Sequence, residues 1–204
     1  FRWKGNTSAT GQLADTGPEP TSYTLSFRTK SKAGLVRLGF DKKGVNKVAI
    51  QPQKPLSPEA VPVKAEDMRA VFDPMSAILQ MTHAGPGNPC AKTVPIFDGK
   101  ARFNLVLSYK GREKLAEKAS SGQPRELYVC KVKYVPVSGH KPKDFVNPWV
   151  KYDGIEISLR PVPAAGLHVP YQVVIPTSLG SAVMLAESID IASANGKQPI
   201  ALRR

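Results

Sequence analysis

Apolar residues recur at every second position through most of this chain, a period that suits β-strands and fits helices poorly. In Tyr23-Thr24-Leu25-Ser26-Phe27-Arg28 the alternation puts Tyr23, Leu25 and Phe27 on one face. Val36, Leu38 and Phe40 repeat it, Asp41-Lys42-Lys43-Gly44 supplies a turn, and Val45 to Ile50 returns, which makes a hairpin. Phe103, Leu105, Leu107 and Tyr109 alternate after a second turn at Asp98-Gly99. Tyr128, Cys130, Val132 and Tyr134 share a face, with Val129, Lys131 and Lys133 opposite. Ile155, Ile157 and Leu159 oppose Glu156, Ser158 and Arg160; Tyr171, Val173 and Ile175 follow, and Ala182 to Ile189 completes the set. About eight strands result, and their short, turn-bearing connections favour antiparallel pairing. The expected class is mainly β.

One segment breaks the period. Asp73-Pro74 reads as an N-cap with proline at the first helical position. Met75, Ile78, Leu79 and Thr82 then recur at three- and four-residue spacing up to Gly85-Pro86-Gly87, which predicts a helix over 74–83. So short a helix must pack its apolar stripe on the sheet to be stable. Before it, the stretch 51–63 holds four prolines and reads as an extended crossing segment. The polar stretch from Lys110 to Pro124 reads as a loop, with a possible helical turn from Arg112 to Ala119.

Charge narrows the function classes. There are 29 Lys+Arg against 16 Asp+Glu, a net charge of +13 on 204 residues, a length that suits one domain. Such a surface attracts anionic lipid, polymer or an acidic envelope protein. No run is purely basic, as a nuclear-localisation signal or polybasic anchor would be, and nucleic acid is the least favoured partner. No window approaches 18 apolar residues in a row, so no transmembrane helix is expected. Phe1-Arg2-Trp3-Lys4-Gly5 lacks an initiator Met and an apolar signal core, so the numbering is read as starting inside a processed protein whose signal peptide has been removed.

Chemistry-bearing residues are sparse. Cys90 and Cys130 are the two cysteines, and two thiols without a nearby His are too few for structural zinc. They form a disulfide between two sheet segments or stay as two buried thiols; the disulfide is the expectation. His83 falls at the helix end, where an imidazolium suits the negative end of the dipole. Ser178, His168 and Asp190 can be written as a triad, but no Gly-x-Ser-x-Gly elbow supports it. No phosphate-binding glycine loop is present either, and neither a cofactor nor a metal is expected. Trp3 is adjacent to Lys4 and Trp149 lies two residues from Lys151, and Asn6-Thr7-Ser8 is a glycosylation sequon. Met75, Ile78, Leu79 and Met81 are the candidates to line a ligand cavity beside the helix, with plain core packing as the alternative.

The order Val61-Pro62-Val63, Phe72-Asp73-Pro74-Met75-Ser76-Ala77, Cys90 and Pro95-Ile96-Phe97-Asp98-Gly99-Lys100 resembles an uncharacterised family of exported proteobacterial proteins, a domain of unknown function. Tyr128-Val129-Cys130-Lys131-Val132-Lys133-Tyr134 with Pro136 and Gly139-His140-Lys141 looks like its second cysteine block, and Pro170-Tyr171 to Leu185 is similar to its closing strand pair. The resemblance implies a curled antiparallel sheet, partly open and barrel-like, wrapped in a spiral around one short helix, like the envelope's lipoprotein carriers. It also implies a single β-rich domain over 1–204 that lacks its first strands. No catalytic residue is known for that family, so none carries over. The expected function is therefore non-enzymatic: a periplasmic protein that supports cell-envelope integrity by binding an envelope component. The alternative is a periplasmic carrier of a lipid or other hydrophobic ligand in the sheet concavity.

Overall fold

The computed structural model describes residues 4–53, 57–83, 87–115, 124–141, 154–177, 180–191 and 200–203. The chain gathers into two compact units, one drawn from 1–80, 93–106 and 134–151, the other from 81–92, 107–133 and 152–204. The fold is mainly β and antiparallel, with one short α-helix, as the alternation predicts. Neither large sheet closes into a barrel, and the described residues form twelve strands where about eight were expected.

In the first unit, β1 (Lys4–Ala14), β2 (Gly17–Arg28), β3 (Ala33–Asp41) and β4 (Gly44–Gln51) form a meander in sequence order. The register sets Tyr23 opposite Leu38 and Leu25 opposite Val36, so each strand's apolar positions meet on one face. That face holds a core of buried Tyr23, Leu38, Val71 and Phe97, with Leu25, Val36, Phe40, Val45, Val63 and Met68 packed around it. The Tyr23 hydroxyl bonds Thr7, and burial pushes its pKa above the ordinary tyrosine value. β1 escaped the sequence reading because Lys4–Ala14 carries no apolar alternation; it is an exposed edge strand of small polar residues, sequon included. The proline-rich segment is anchored where Val61 exchanges backbone hydrogen bonds with Gly139 and His140.

The six-stranded sheet has the order β10-β9-β8-β7-β6-β5: β5 (Lys92–Phe97), β6 (Arg102–Lys114), β7 (Glu126–Ser138), β8 (Ile155–Val162), β9 (Leu167–Thr177) and β10 (Gly180–Leu185). β11 (Ser188–Ile191) and β12 (Ile200–Arg203) form a separate antiparallel pair. The turn between β5 and β6 is the predicted Asp98-Gly99: Asp98 Oδ1 accepts from the amides of Lys100 and Ala101, and Gly99 has φ +98°. The loop expected from Lys110 begins later than predicted, and no helical turn starts at Arg112. Arg112 to Lys114 continue β6, because Arg112 reaches Glu126 on β7 at 2.9 Å, and residues 116–123 lie outside the described residues. β8 pairs β9 with a bulge: Ser158 opposes Gln172 but Leu159 opposes Pro170, so Tyr171 is an extra residue on β9.

Helix α1 (Pro74–Thr82) matches the predicted span to within a residue. Asp73 caps it, Oδ1 accepting from the amides of Met75 at 2.9 Å and Ser76 at 3.0 Å. The packed face is rotated from the expected one: Thr82 of the predicted stripe is buried and Leu79 half-buried, but its first two members are not. Ser76, Ala77, Met81 and Thr82 are buried, while Met75 and Ile78 are exposed at 38% and 45%. Small side chains at 76 and 77 let the backbone come close to its neighbours, so the bulkier stripe is left outside.

Candidate functional site

Cys90 and Cys130 are joined in a disulfide with a Cα–Cα distance of 5.2 Å, and both are completely buried. Cys90 sits in a turn where its amide donates to Asn88 Oδ1, and Cys130 lies on β7 opposite Ile157 of β8. A bond sealed from solvent is structural in character: no thiolate can reach it without opening the sheet.

The four cavity candidates on α1 do not share one environment. Met81 is buried, Leu79 half-buried, and Met75 and Ile78 face solvent. The C-terminal end of the helix is capped by a residue not expected there. Lys92, from the start of β5, donates through Nζ to the carbonyls of Met81 and His83. A cation does sit at the negative end of the dipole, but it is an ammonium from another element and not the His83 ring. Burial lowers the Lys92 pKa from its ordinary value.

One end of the four-stranded sheet collects positive charge. Lys4 at the start of β1 stands directly opposite Arg28 at the end of β2, and the turn beyond Arg28 adds Lys30 and Lys32. That turn is tied by Thr29: its amide donates to the Lys32 carbonyl at 2.7 Å, and its Oγ1 accepts from the Lys32 amide at 3.0 Å. All four cations are exposed. Directly opposed like charges destabilise a sheet pair slightly. The acidic residues of these strands and their turns, Asp15, Glu19 and Asp41, lie at the far end, roughly 27–37 Å away at ~3.4 Å per residue. The charges themselves are plain in the sequence, but only the strand register brings Lys4 beside the later three.

The second unit holds a cluster around Tyr128 of β7. Its ring receives the edge of the His168 imidazole at 5.4 Å between centroids, and the Arg112 guanidinium lies 4.9 Å from the ring centre. His168 Nδ1 is buried without a hydrogen-bond partner. Burial first, and the Lys92 charge second, hold the His168 pKa below its ordinary value, so the ring is neutral at pH 7. The opposite face of the same strands differs from expectation. Glu156, Ser158 and Arg160 read as the polar side of β8, but Ser158 and Arg160 are both buried at 5% exposure. The signal for this was available in Val129, which opposes Ser158, and in Val162, two residues after Arg160, since a solvent face rarely carries such valines.

Several other candidates are not assembled into sites. Tyr134 stacks on Phe103, and its hydroxyl bonds His140 at 2.9 Å, so that histidine serves an aromatic cluster. Ser178, Trp3 and Trp149 lie outside the described residues. Among the described residues no three His, Cys, Asp or Glu side chains are grouped to hold a metal ion, and no helix is long and apolar enough to cross a membrane. No curated protein and no solved structure matches the chain. The model of one family, described as a protein of unknown function, DUF3108, matches residues 1–187, and the chain belongs to that family.

Proposed function

We propose that this is a non-enzymatic binding protein of the bacterial periplasm that supports envelope integrity by holding an anionic envelope component. The observation that carries this reading is the cationic end of the four-stranded sheet, where Lys4, Arg28, Lys30 and Lys32 are exposed together without an acidic neighbour on these strands. A surface that sets like charges directly opposite one another is relieved when an anion arrives. The buried Cys90–Cys130 bond fits the same reading, because such bonds persist in oxidising compartments.

The test is crosslinking in the native host from a photoreactive residue placed at position 30, with position 42, at the other end of the sheet, as the comparison. An envelope adduct from position 30 and not from 42 is expected, in the periplasmic fraction. Cytoplasmic fractionation of the full-length product, or equal labelling from both positions, overturns it. A second reading, a carrier of a hydrophobic ligand, draws no support from α1, since Met75 and Ile78 face solvent.

A further inference from the structure

The two large sheets have four edges, and three of them are blunted against further pairing. β1 carries small polar side chains up to Leu13, has Lys4 at its start and meets a bulge beside Thr10. β4 exposes Asn46 and Lys47, and its first residue, Gly44, is bridged by Arg69. On β5, Pro95 has no amide to offer, and Phe72 covers the strand by donating to the Pro95 carbonyl and accepting from the Phe97 amide, each at 2.9 Å. The fourth edge, β10, has none of these devices. Gly180–Leu185 contains no charge and no proline, every residue of it is exposed, and Val183 and Met184 are open to solvent at 51% and 54%.

The register shows which backbone groups of β10 are open. Just beyond the pair of Leu185 with Gln172, the Ala186 amide donates to the Tyr171 carbonyl at 2.9 Å. Backbone groups along a strand are turned to alternate sides, so those of Ala182 and Met184 also face β9, while those of Ser181, Val183 and Leu185 are turned away from it. Among the described residues no strand lies on that side of β10. A row of open amides and carbonyls is completed by another strand. Charge selects which strand. The chain carries 29 Lys+Arg, yet none falls between Arg160 and Lys197, a stretch that includes β9 and β10 and holds Glu187 and Asp190. Copies of a +13 protein repel one another over most approaches, and this edge is where two of them meet without opposing cations.

We propose that β10 is a self-pairing edge through which two copies of this chain form a closed dimer. In the antiparallel register centred on Val183, that residue meets its own counterpart and Ser181 meets Leu185 of the second copy, so the outward groups of all three residues are used. On the other face Met184 stands against Ala182 of the second copy, large beside small. Within β10 no charged side chain faces another across the seam. The two six-stranded sheets become one, and because the remaining edges are blunted the assembly stops at two copies. This inference goes beyond the envelope reading and does not depend on it.

A seam of one six-residue strand is small, so the dimer is a weak one, and sedimentation velocity of the whole chain from about 5 to about 500 μM should show the mass rising from one chain toward two. V183K sets two ammonium groups directly against each other and should stay a single chain across that range. V183P removes an outward amide, leaves the bonds to β9 in place, and should weaken the dimer by about ten-fold or more. Both variants should melt within a few degrees of wild type, which separates loss of the dimer from loss of the fold. S8K, which adds the same charge to the edge strand β1, should dimerise as wild type does. In the proposed register Ala182 and Met184 of the second copy form a close, non-hydrogen-bonded pair, so A182C/M184C should yield a disulfide-linked dimer on mild oxidation and neither single variant should. A single chain throughout, growth beyond two copies, a dimer that V183K leaves intact, equal loss in S8K, or equal crosslinking by a single cysteine variant overturns the proposal. A chain that stays single overturns it even if the edge accepts a strand from another protein.

Discussion

Asp73 begins α1 with one carboxylate oxygen and leaves the other, Oδ2, buried without a partner. Removing the cap by Asp73→Ala should cost about 1–2 kcal/mol of unfolding free energy, whereas Asp73→Asn keeps an acceptor for the two amides and should cost less. Denaturant titration of the two variants separates these outcomes. His168 supplies a pH prediction. Its folded pKa is depressed by burial and by Lys92, so the unfolded chain binds the proton more readily than the folded one. Stability from this group is complete above about pH 6.5 and is lost as pH falls below it. Melting curves at pH 7.5 and 5.5 should show a fall in wild type that His168→Phe, which keeps a ring against Tyr128, reduces.

At the level of elements, alternation was a good guide wherever a strand has one buried face, as in β2 and β3, because pleat and burial then share a period of two. It was blind to β1, whose polar side chains are exposed along its length, and it misjudged β8, which is buried on both faces and so loses the contrast that alternation needs. The helix span was legible from Asp73-Pro74, but its packed side was not, since Ser76 and Ala77 go inward on account of their size and not their apolarity. Of the site, the cysteine pair could be named from the sequence; Arg160 could not, because a buried arginine and a surface one look alike until neighbouring strands are in register. The disulfide joins residues 40 apart. In the chain-entropy treatment a loop of that length contributes about 4 kcal/mol. The double variant Cys90→Ala/Cys130→Ala should therefore melt about 10 °C lower, checked by calorimetry. A Cβ at Gly139, with φ +78°, would land on the Lys100 carbonyl, so Gly139→Ala should loosen the place where Val61 is anchored.

For the whole molecule, a net charge of +13 guarantees some attraction to any anionic surface, and the useful question is where on the protein it acts. If the end bearing Arg28, Lys30 and Lys32 meets an anionic membrane, each charge is worth about 1 kcal/mol, or about five-fold. R28Q/K30Q/K32Q should then bind vesicles rich in anionic lipid about a hundred-fold more weakly, and K42Q/K43Q/K47Q, equal in charge change, should bind them nearly as wild type does. Sedimentation with vesicles at two salt concentrations reads both, and equal losses would assign the attraction to net charge alone. The bulge at Tyr171 governs the second unit in another way. Continued without the extra residue, the register before it would seat His168 opposite Val162 and Pro170 opposite Arg160, bringing the imidazole onto the guanidinium's face. One inserted residue shifts the phase of the strand, so that the imidazole meets Tyr128 and the guanidinium meets Val169. The imidazole and the guanidinium are thereby kept on opposite faces of the sheet, and deletion of Tyr171 would bring them onto one.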